Sequence, residues 1–194
     1  MIDENLTQRT QRERRNLMYR KCTTEVSVQN QKRITDSLLD LMLKMSFEDI
    51  SVTALCEASG VSRRIFYHLF NNKMDALHAM IDHTILKLEG YRTDISDEMF
   101  RYFQYWYDHK LLFDALHRNH MRSLLVERLV DLVMNEDYDI QYWMKIHGWE
   151  DKEALIFHLS GTMGLVYNWY DSGFAKSPEE MAELLSRIVT KMLK

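Results

Sequence analysis

The chain is poor in the residues that interrupt regular structure: one proline, Pro178, and six glycines in 194 residues. With so few breakers and so many helix formers, an all-helical protein is expected. Two cysteines, Cys22 and Cys56, are too few for a disulfide framework or a four-thiolate zinc site, and they suit a reducing cytoplasm. Long apolar runs are lacking as well. The longest stretch without a charged residue, Ala154 to Tyr170, holds His158, Asn168 and two glycines, and reads as a buried helix and not as a membrane span. The opening Met1-Ile2-Asp3-Glu4 has neither a basic nor an apolar segment, so no secretory leader is expected. No strong overall charge of one sign exists either, the formal net charge being −4.

What is present is an apolar fraction of 46%, enough to bury a sizeable core. Charge is unevenly placed. Between Arg9 and Arg33 eight Lys and Arg stand against Glu13 and Glu25, whereas from Tyr91 onward 12 basic residues face 17 acidic ones. A basic front and an acidic rear suggest two tasks along one chain.

Apolar spacing divides the chain further. Residues 1–26 are polar and basic, without a helical apolar stripe, and read as a mobile arm. A first helix is expected from Ser27 to Met45, with Ile34, Leu38, Leu41, Met42 and Met45 on one face, followed by a short break at Ser46 to Ile50. Ser51 then serves as an N-cap for a helix to Ser59, Gly60 supplies a turn, and Ser62 caps another helix ending near Phe70. Asn71-Asn72 breaks the chain before a longer helix, Lys73 to Glu89, for which Gly90 is a stop. Ser96 is expected to cap a helix opening with Asp97-Glu98 and reaching His109. More helices are expected at Lys110 to Arg118, Met121 to Asn135, Lys152 to Ser172 and Pro178 to Leu193. The last opens with Ser177 as cap, Pro178 at the first helical position and Glu180 completing a capping box. These elements give an arm (1–26), a three-helix head (27–72) and a helical body (73–194).

The head carries the chemistry. Two short helices joined by a glycine turn, with Arg63-Arg64 opening the second, suit a reader of double-stranded DNA. The second helix can enter the major groove end-on, where an arginine bonds a guanine edge with two donors. Tyr67 and His68 follow one turn later, and the Tyr67 hydroxyl can reach a phosphate. Lys73 opens the next helix, where its charge also favours a phosphate. On spacing alone, a small helical hairpin with surface charge is an equally good description.

The run from Asp49 to Ser62, continuing Arg63-Arg64-Ile65-Phe66-Tyr67-His68-Leu69-Phe70, resembles the DNA-binding signature of the tetracycline-repressor (TetR) family. Phe70-Asn71-Asn72-Lys73-Met74-Asp75-Ala76-Leu77 is similar to that family's aromatic, two residues, lysine, three residues, leucine ending. The likeness covers about residues 30 to 80. It implies an all-α fold: a helix-turn-helix head joined to a C-terminal helical domain for ligand binding and dimerisation. It also implies that Ser51 and Thr53 begin the positioning helix, that Ser62, Arg63, Arg64, Tyr67 and His68 belong to the recognition helix, and that Lys73 clamps the backbone. Cys56 and Ser59 stand where the family usually has alanine, and Arg63-Arg64 is more basic than its commoner polar-glycine pair. The arm from Arg9 to Lys21 is longer than most in the family. It reads equally as a groove or phosphate arm that orders on DNA, or as a solvated tail.

The rear half is crowded with aromatics. A pocket for an apolar or planar inducer is one reading of Tyr102, Tyr105, Trp106, Phe113, His117, Trp143 and Tyr167; ordinary core is the blander one. The segment from Ser160-Gly161-Thr162-Met163-Gly164 to Glu180 resembles the end of a Gram-positive branch of the family, in which the last two helices pair with their copies. Ile156, Leu159, Met163, Tyr167 and Tyr170 form one apolar stripe, and Met181, Leu184, Leu185, Ile188 and Met192 another. A homodimer is therefore expected, reading a palindromic operator.

His117 and His120, three apart, could supply two metal ligands with scattered histidines nearby. Zinc needs three or four, and both cysteines lie in the front half, so no metal and no cofactor is expected. No phosphate loop, nucleophile elbow or His-Glu-x-x-His occurs, so an enzyme is not expected. The leading expectation is a repressor whose inducer shifts the helix Lys73 to Glu89, with equal and opposite effects of DNA on inducer binding. The alternative is a co-activator, or a family member controlled by a protein or a metal ion.

Overall fold

The structure, a computed structural model, describes residues 19–20, 22–88, 95–134 and 151–192. Every regular element among them is helical, apart from one isolated antiparallel bridge between Tyr19 and Phe70. The all-α expectation is met. The chain forms two compact units, one ending at Ile81 and the other starting at Asp82.

In the first unit, α1 spans Glu25–Met42. It begins before the expected Ser27 because Thr24 is the cap and accepts the Ser27 N–H. Glu25 in the first turn suits the helix dipole. Ile34, Leu38 and Met42 are fully buried, as their spacing predicts, while Met45 lies beyond the helix end and is exposed. The expected break contains a 3-10 turn, Phe47–Asp49, capped by Ser46, which buries Phe47. The arm also ends earlier than the sequence suggests. Tyr19 is buried against Phe70, with ring centroids 6.2 Å apart, and the Arg20 N–H donates to the Leu69 carbonyl at 3.1 Å. Burial of one aromatic ring outweighs the polar character of its neighbours, and no periodicity could reveal that.

Helix α2 spans Val52–Ser59 and α3 Arg63–Leu69. Ser51 and Ser62 cap them, accepting from the N–H groups of Ala54 (3.0 Å) and Ile65 (3.3 Å). Gly60 takes φ +63° between them, a left-handed turn that a Cβ would strain. Helix α4, Lys73–Leu88, begins with a reciprocal cap. Asn72 Oδ1 accepts the Asp75 N–H at 3.0 Å, and Asp75 Oδ2 accepts the Asn71 N–H at 2.9 Å. This helix continues into the second unit.

The second unit contains α5 (Ile95–Asp108), α6 (Lys110–Arg118), α7 (Ser123–Met134), α8 (Lys152–Asp171) and α9 (Pro178–Met192). Helix α5 starts at Ile95, so Ser96 falls inside its first turn and is not the expected cap. The capping box of α9 is present: the Ser177 N–H donates to Glu180 Oε2 at 2.7 Å, and the Glu180 N–H to Ser177 Oγ at 3.3 Å. Helix α9 packs along α5, and α8 along α7. Gly90, Trp143 and the basic residues before Tyr19 lie outside the described residues.

Candidate functional site

The head is built so that one side of α3 is committed to the core and the other is not. Phe66 and Leu69 are buried, and Phe66 packs on Phe70 at 5.5 Å between centroids. Ser62, Arg63, Arg64, Tyr67 and His68 are all exposed. The Arg63 guanidinium lies 5.9 Å from the Tyr67 ring centroid, a cation–π contact one turn apart. Thr53 on α2 and its cap Ser51 are exposed as well. The sequence-predicted residues therefore come together on one unit, and the buried Leu55, Cys56 and Ser59 hold α2. Such a face offers guanidinium forks that match phosphates and guanine edges.

Two of these residues also have partners within the head itself. Lys73, expected as a backbone clamp, donates through Nζ to the Phe47 carbonyl at 2.6 Å and the Glu48 carbonyl at 2.8 Å, and sits 4.7 Å from the Phe47 ring centroid. Its ammonium adds a charged donor to the carbonyls of the 3-10 turn, of which that of Phe47 also accepts from the Ile50 N–H at 3.2 Å. His68, expected as a recognition-helix residue, is bonded to Arg20, whose Nη1 lies 2.7 Å from its Nε2. The sequence placed Arg20 only within the basic arm, and its pairing with His68 was invisible because 48 positions separate them. Arg33 was also missed: on α1, it crosses the helix-turn-helix turn so closely that a Cβ on Gly60 would lie 2.6 Å from its Nη2.

The aromatic residues of the rear half form a contiguous cluster within the second unit. Tyr105, Trp106 and Phe113 are almost fully buried. Trp106 meets Phe113 edge-on at 5.6 Å, and Phe113 meets Tyr167 at 5.4 Å. Tyr105 donates its hydroxyl to the Thr84 carbonyl, Tyr102 to Thr162 Oγ1 at 3.3 Å, and Tyr167 to the Arg122 carbonyl. Burial pushes the Tyr102 phenol up to about 12 and raises that of Tyr167 as well. His117 is exposed, its ring 5.8 Å from that of Tyr170. Trp143, named with these residues in the sequence, is outside the described part.

The two terminal stripes are only partly available to a second subunit. Leu159, Met163, Met181 and Leu185 are buried within the chain itself, while Ile156, Tyr167, Tyr170, Leu184 and Ile188 are half-buried. Helix α9 packs along α5, and Met181 and Leu185 of its stripe are buried within the chain, a long-range pairing that helical spacing does not reveal. The exposed face of α8 instead carries Phe157, Gly161 and Gly164, with Phe157 at 69% exposure.

A capped helix, a left-handed glycine turn and a second capped helix with an exposed basic opening define a helix-turn-helix protein. Joined to a helical body, this is the architecture of one-component transcription regulators. A TetR-type family model described as "Transcriptional regulator C-terminal region" matches residues 93–191, just over half of the chain. The chain belongs to the TetR family of transcription regulators. Among solved structures, Lin0861 from Listeria innocua is similar with a TM-score of 0.67 at 14% identity, covering 92% of this chain and 98% of its own. The fatty acid degradation regulator FadR from Bacillus halodurans is similar with a TM-score of 0.54, also at 14% identity, covering 87% of this chain and 96% of its own. At that identity the likeness is one of fold. No curated protein matches the chain. No helix among the described residues is long and apolar enough to cross a membrane.

Proposed function

We propose that this TetR-family regulator is a homodimeric repressor that reads a palindromic DNA operator with α3 and is released by a small apolar or planar molecule. The observation that carries the reading is the outward side of α3, where Arg63, Arg64 and Tyr67 are exposed while Phe66 and Leu69 anchor the helix from behind. Arg63 and Arg64 occupy the first turn, the part of a recognition helix that meets base edges. Ser51 and Ser62 cap the two helices and, with the exposed Thr53, add phosphate contacts. Lys73 holds the 3-10 turn beneath them.

Dimerisation places two copies of α3 about one DNA turn apart, roughly 34–36 Å, or somewhat more. The exposed Phe157, beside Gly161 and Gly164 on α8, supports a close helix–helix contact between subunits. Tyr102 and Tyr167 are the half-buried edges of the aromatic cluster and the points at which an inducer would enter. Helix α4 has residues in both units and is the covalent route between inducer and reading head.

The experiment is fluorescence anisotropy on duplexes selected by the protein from a random pool. Arg63→Ala or Arg64→Ala should each cost about 1–3 kcal/mol and relax the preference at one position of each half-site. Absence of any sequence preference in the unaltered protein would refute the reading. Sedimentation at micromolar concentration should give a dimer, and a stable monomer would remove the two-fold operator from it.

A further inference from the structure

Arg20 is held beside the recognition helix by its backbone and its side chain together. Its N–H donates to the Leu69 carbonyl at 3.1 Å, its own carbonyl accepts from Gln31 Nε2 at 3.3 Å, and the neighbouring Tyr19 is buried against Phe70. Gln31 is itself buried on α1, so the anchorage joins the last residues of α3 to the core of the head. From this anchored backbone the Arg20 guanidinium reaches His68, with Nη1 2.7 Å from Nε2 and 3.2 Å from Nδ1. Both side chains are exposed.

The nature of this partner matters. A guanidinium has no lone pair to offer, so the imidazole must be the acceptor, which requires it to be neutral. An arginine bonded to a carboxylate has its charge cancelled locally. An arginine bonded to a neutral imidazole keeps its full charge and most of its five N–H donors.

We propose that Arg20 is a phosphate-binding residue of the DNA interface and that His68 is its positioning residue, not a separate DNA contact. The inference rests on the DNA-binding reading above. Position decides between phosphate and base. His68 stands at the far end of α3, one residue before its last, whereas base edges are met by the opening turn. A planar fork fixed at the far end faces the sugar-phosphate backbone that borders the groove, and it can bond a phosphate through two donors. The helix-turn-helix is thus supplemented by one cation from outside it, immobilised before DNA arrives.

The test uses the full-length protein, a duplex selected by it from a random pool, and a scrambled duplex of equal length. Affinity is followed against salt concentration. Arg20→Gln should weaken binding about tenfold at low salt, equally on both duplexes, and lower the salt slope by about one for each subunit. His68→Leu should reproduce part of that loss, whereas His68→Gln, which keeps an acceptor, should restore it. The double variant Arg20→Gln with His68→Leu should bind no worse than Arg20→Gln alone. Thermal melting verifies that each variant is folded. Unchanged affinity and slope for a folded Arg20→Gln overturn the proposal, as do losses at the two positions that simply add. If the unaltered protein binds neither duplex, the DNA-binding reading itself fails, an outcome distinct from either.

Discussion

Asp82 and Arg128 meet as a two-pronged ion pair inside the second unit: Nε to Oδ1 at 2.8 Å and Nη2 to Oδ2 at 2.7 Å, with side chains 0% and 6% exposed. The remaining guanidinium nitrogen, Nη1, donates to Asp131 Oδ2 at 2.9 Å. The pair joins the later part of α4 to α7. Removing charges from water is costly, and the pair is tolerated because both prongs are satisfied. Asp82→Ala leaves a buried guanidinium short of a partner and should destabilise the protein by about 3–5 kcal/mol in urea unfolding. Asp82→Leu combined with Arg128→Met should recover most of that loss, since neither charge then needs solvation. A double variant as unstable as the single one would mean that shape, not charge, governs this contact.

Lys73→Met removes two charged hydrogen bonds to the carbonyls of Phe47 and Glu48. The predicted cost is about 1–3 kcal/mol in the stability of the head, measured by denaturant midpoint. The salt slope of DNA binding should stay close to that of the unaltered protein. A slope reduced by about one per subunit would give Lys73 the phosphate contact expected from the sequence.

Gly60→Ala places a Cβ at φ +63° and 2.6 Å from Arg33 Nη2. The arginine tip can swing aside, so the lasting cost is the backbone conformation, about 1–2 kcal/mol. Adding Arg33→Ala should therefore rescue little, whereas Gly60→Asn, which tolerates the left-handed region, should be milder than Gly60→Ala. Substantial rescue by Arg33→Ala would show that crowding dominates.

The Tyr102 phenol has its pKa raised by burial to about 12, against 10.0 ordinarily. In the unfolded chain this group loses its proton near the ordinary value, while the folded protein keeps it. The unfolded state then binds fewer protons, so stability falls as pH rises. The contribution is complete below about pH 10 and disappears as pH rises through about 12. At about pH 11, phenolate absorbance should increase when urea unfolds the protein, and the increase should be smaller in Tyr102→Phe. Equal increases in both proteins would mean that Tyr102 titrates normally in the fold.

Much of the head was legible in the sequence because its signals are local. A serine three residues before a free N–H, a glycine where the backbone turns left-handed, and apolar residues at helical spacing each act within one or two turns. That is why Ser51, Ser62, Gly60 and the capping box at Ser177 stand where the pattern puts them, and why the exposed side of α3 could be named in advance. The same local reasoning started α1 two residues late, at Ser27, and made Ser96 a cap although α5 already includes Ile95, because the residue that starts a helix is the first one whose side chain and backbone together satisfy the free N–H groups, as Thr24 does for α1.

The amino-acid sequence by itself determined the helices, their main caps, the family likeness of the reading head and the basic opening of α3. Tertiary structure alone decided the partners: Arg20 with His68, Lys73 with the 3-10 turn, Arg33 over Gly60, Asp82 with Arg128, and the share of the α9 stripe buried within the chain. Caps and periodicity depend on hydrogen bonds and faces repeated over a few residues. Ion pairs and buried faces depend on which distant surfaces the fold brings within bonding distance, and sequence separation carries no trace of that.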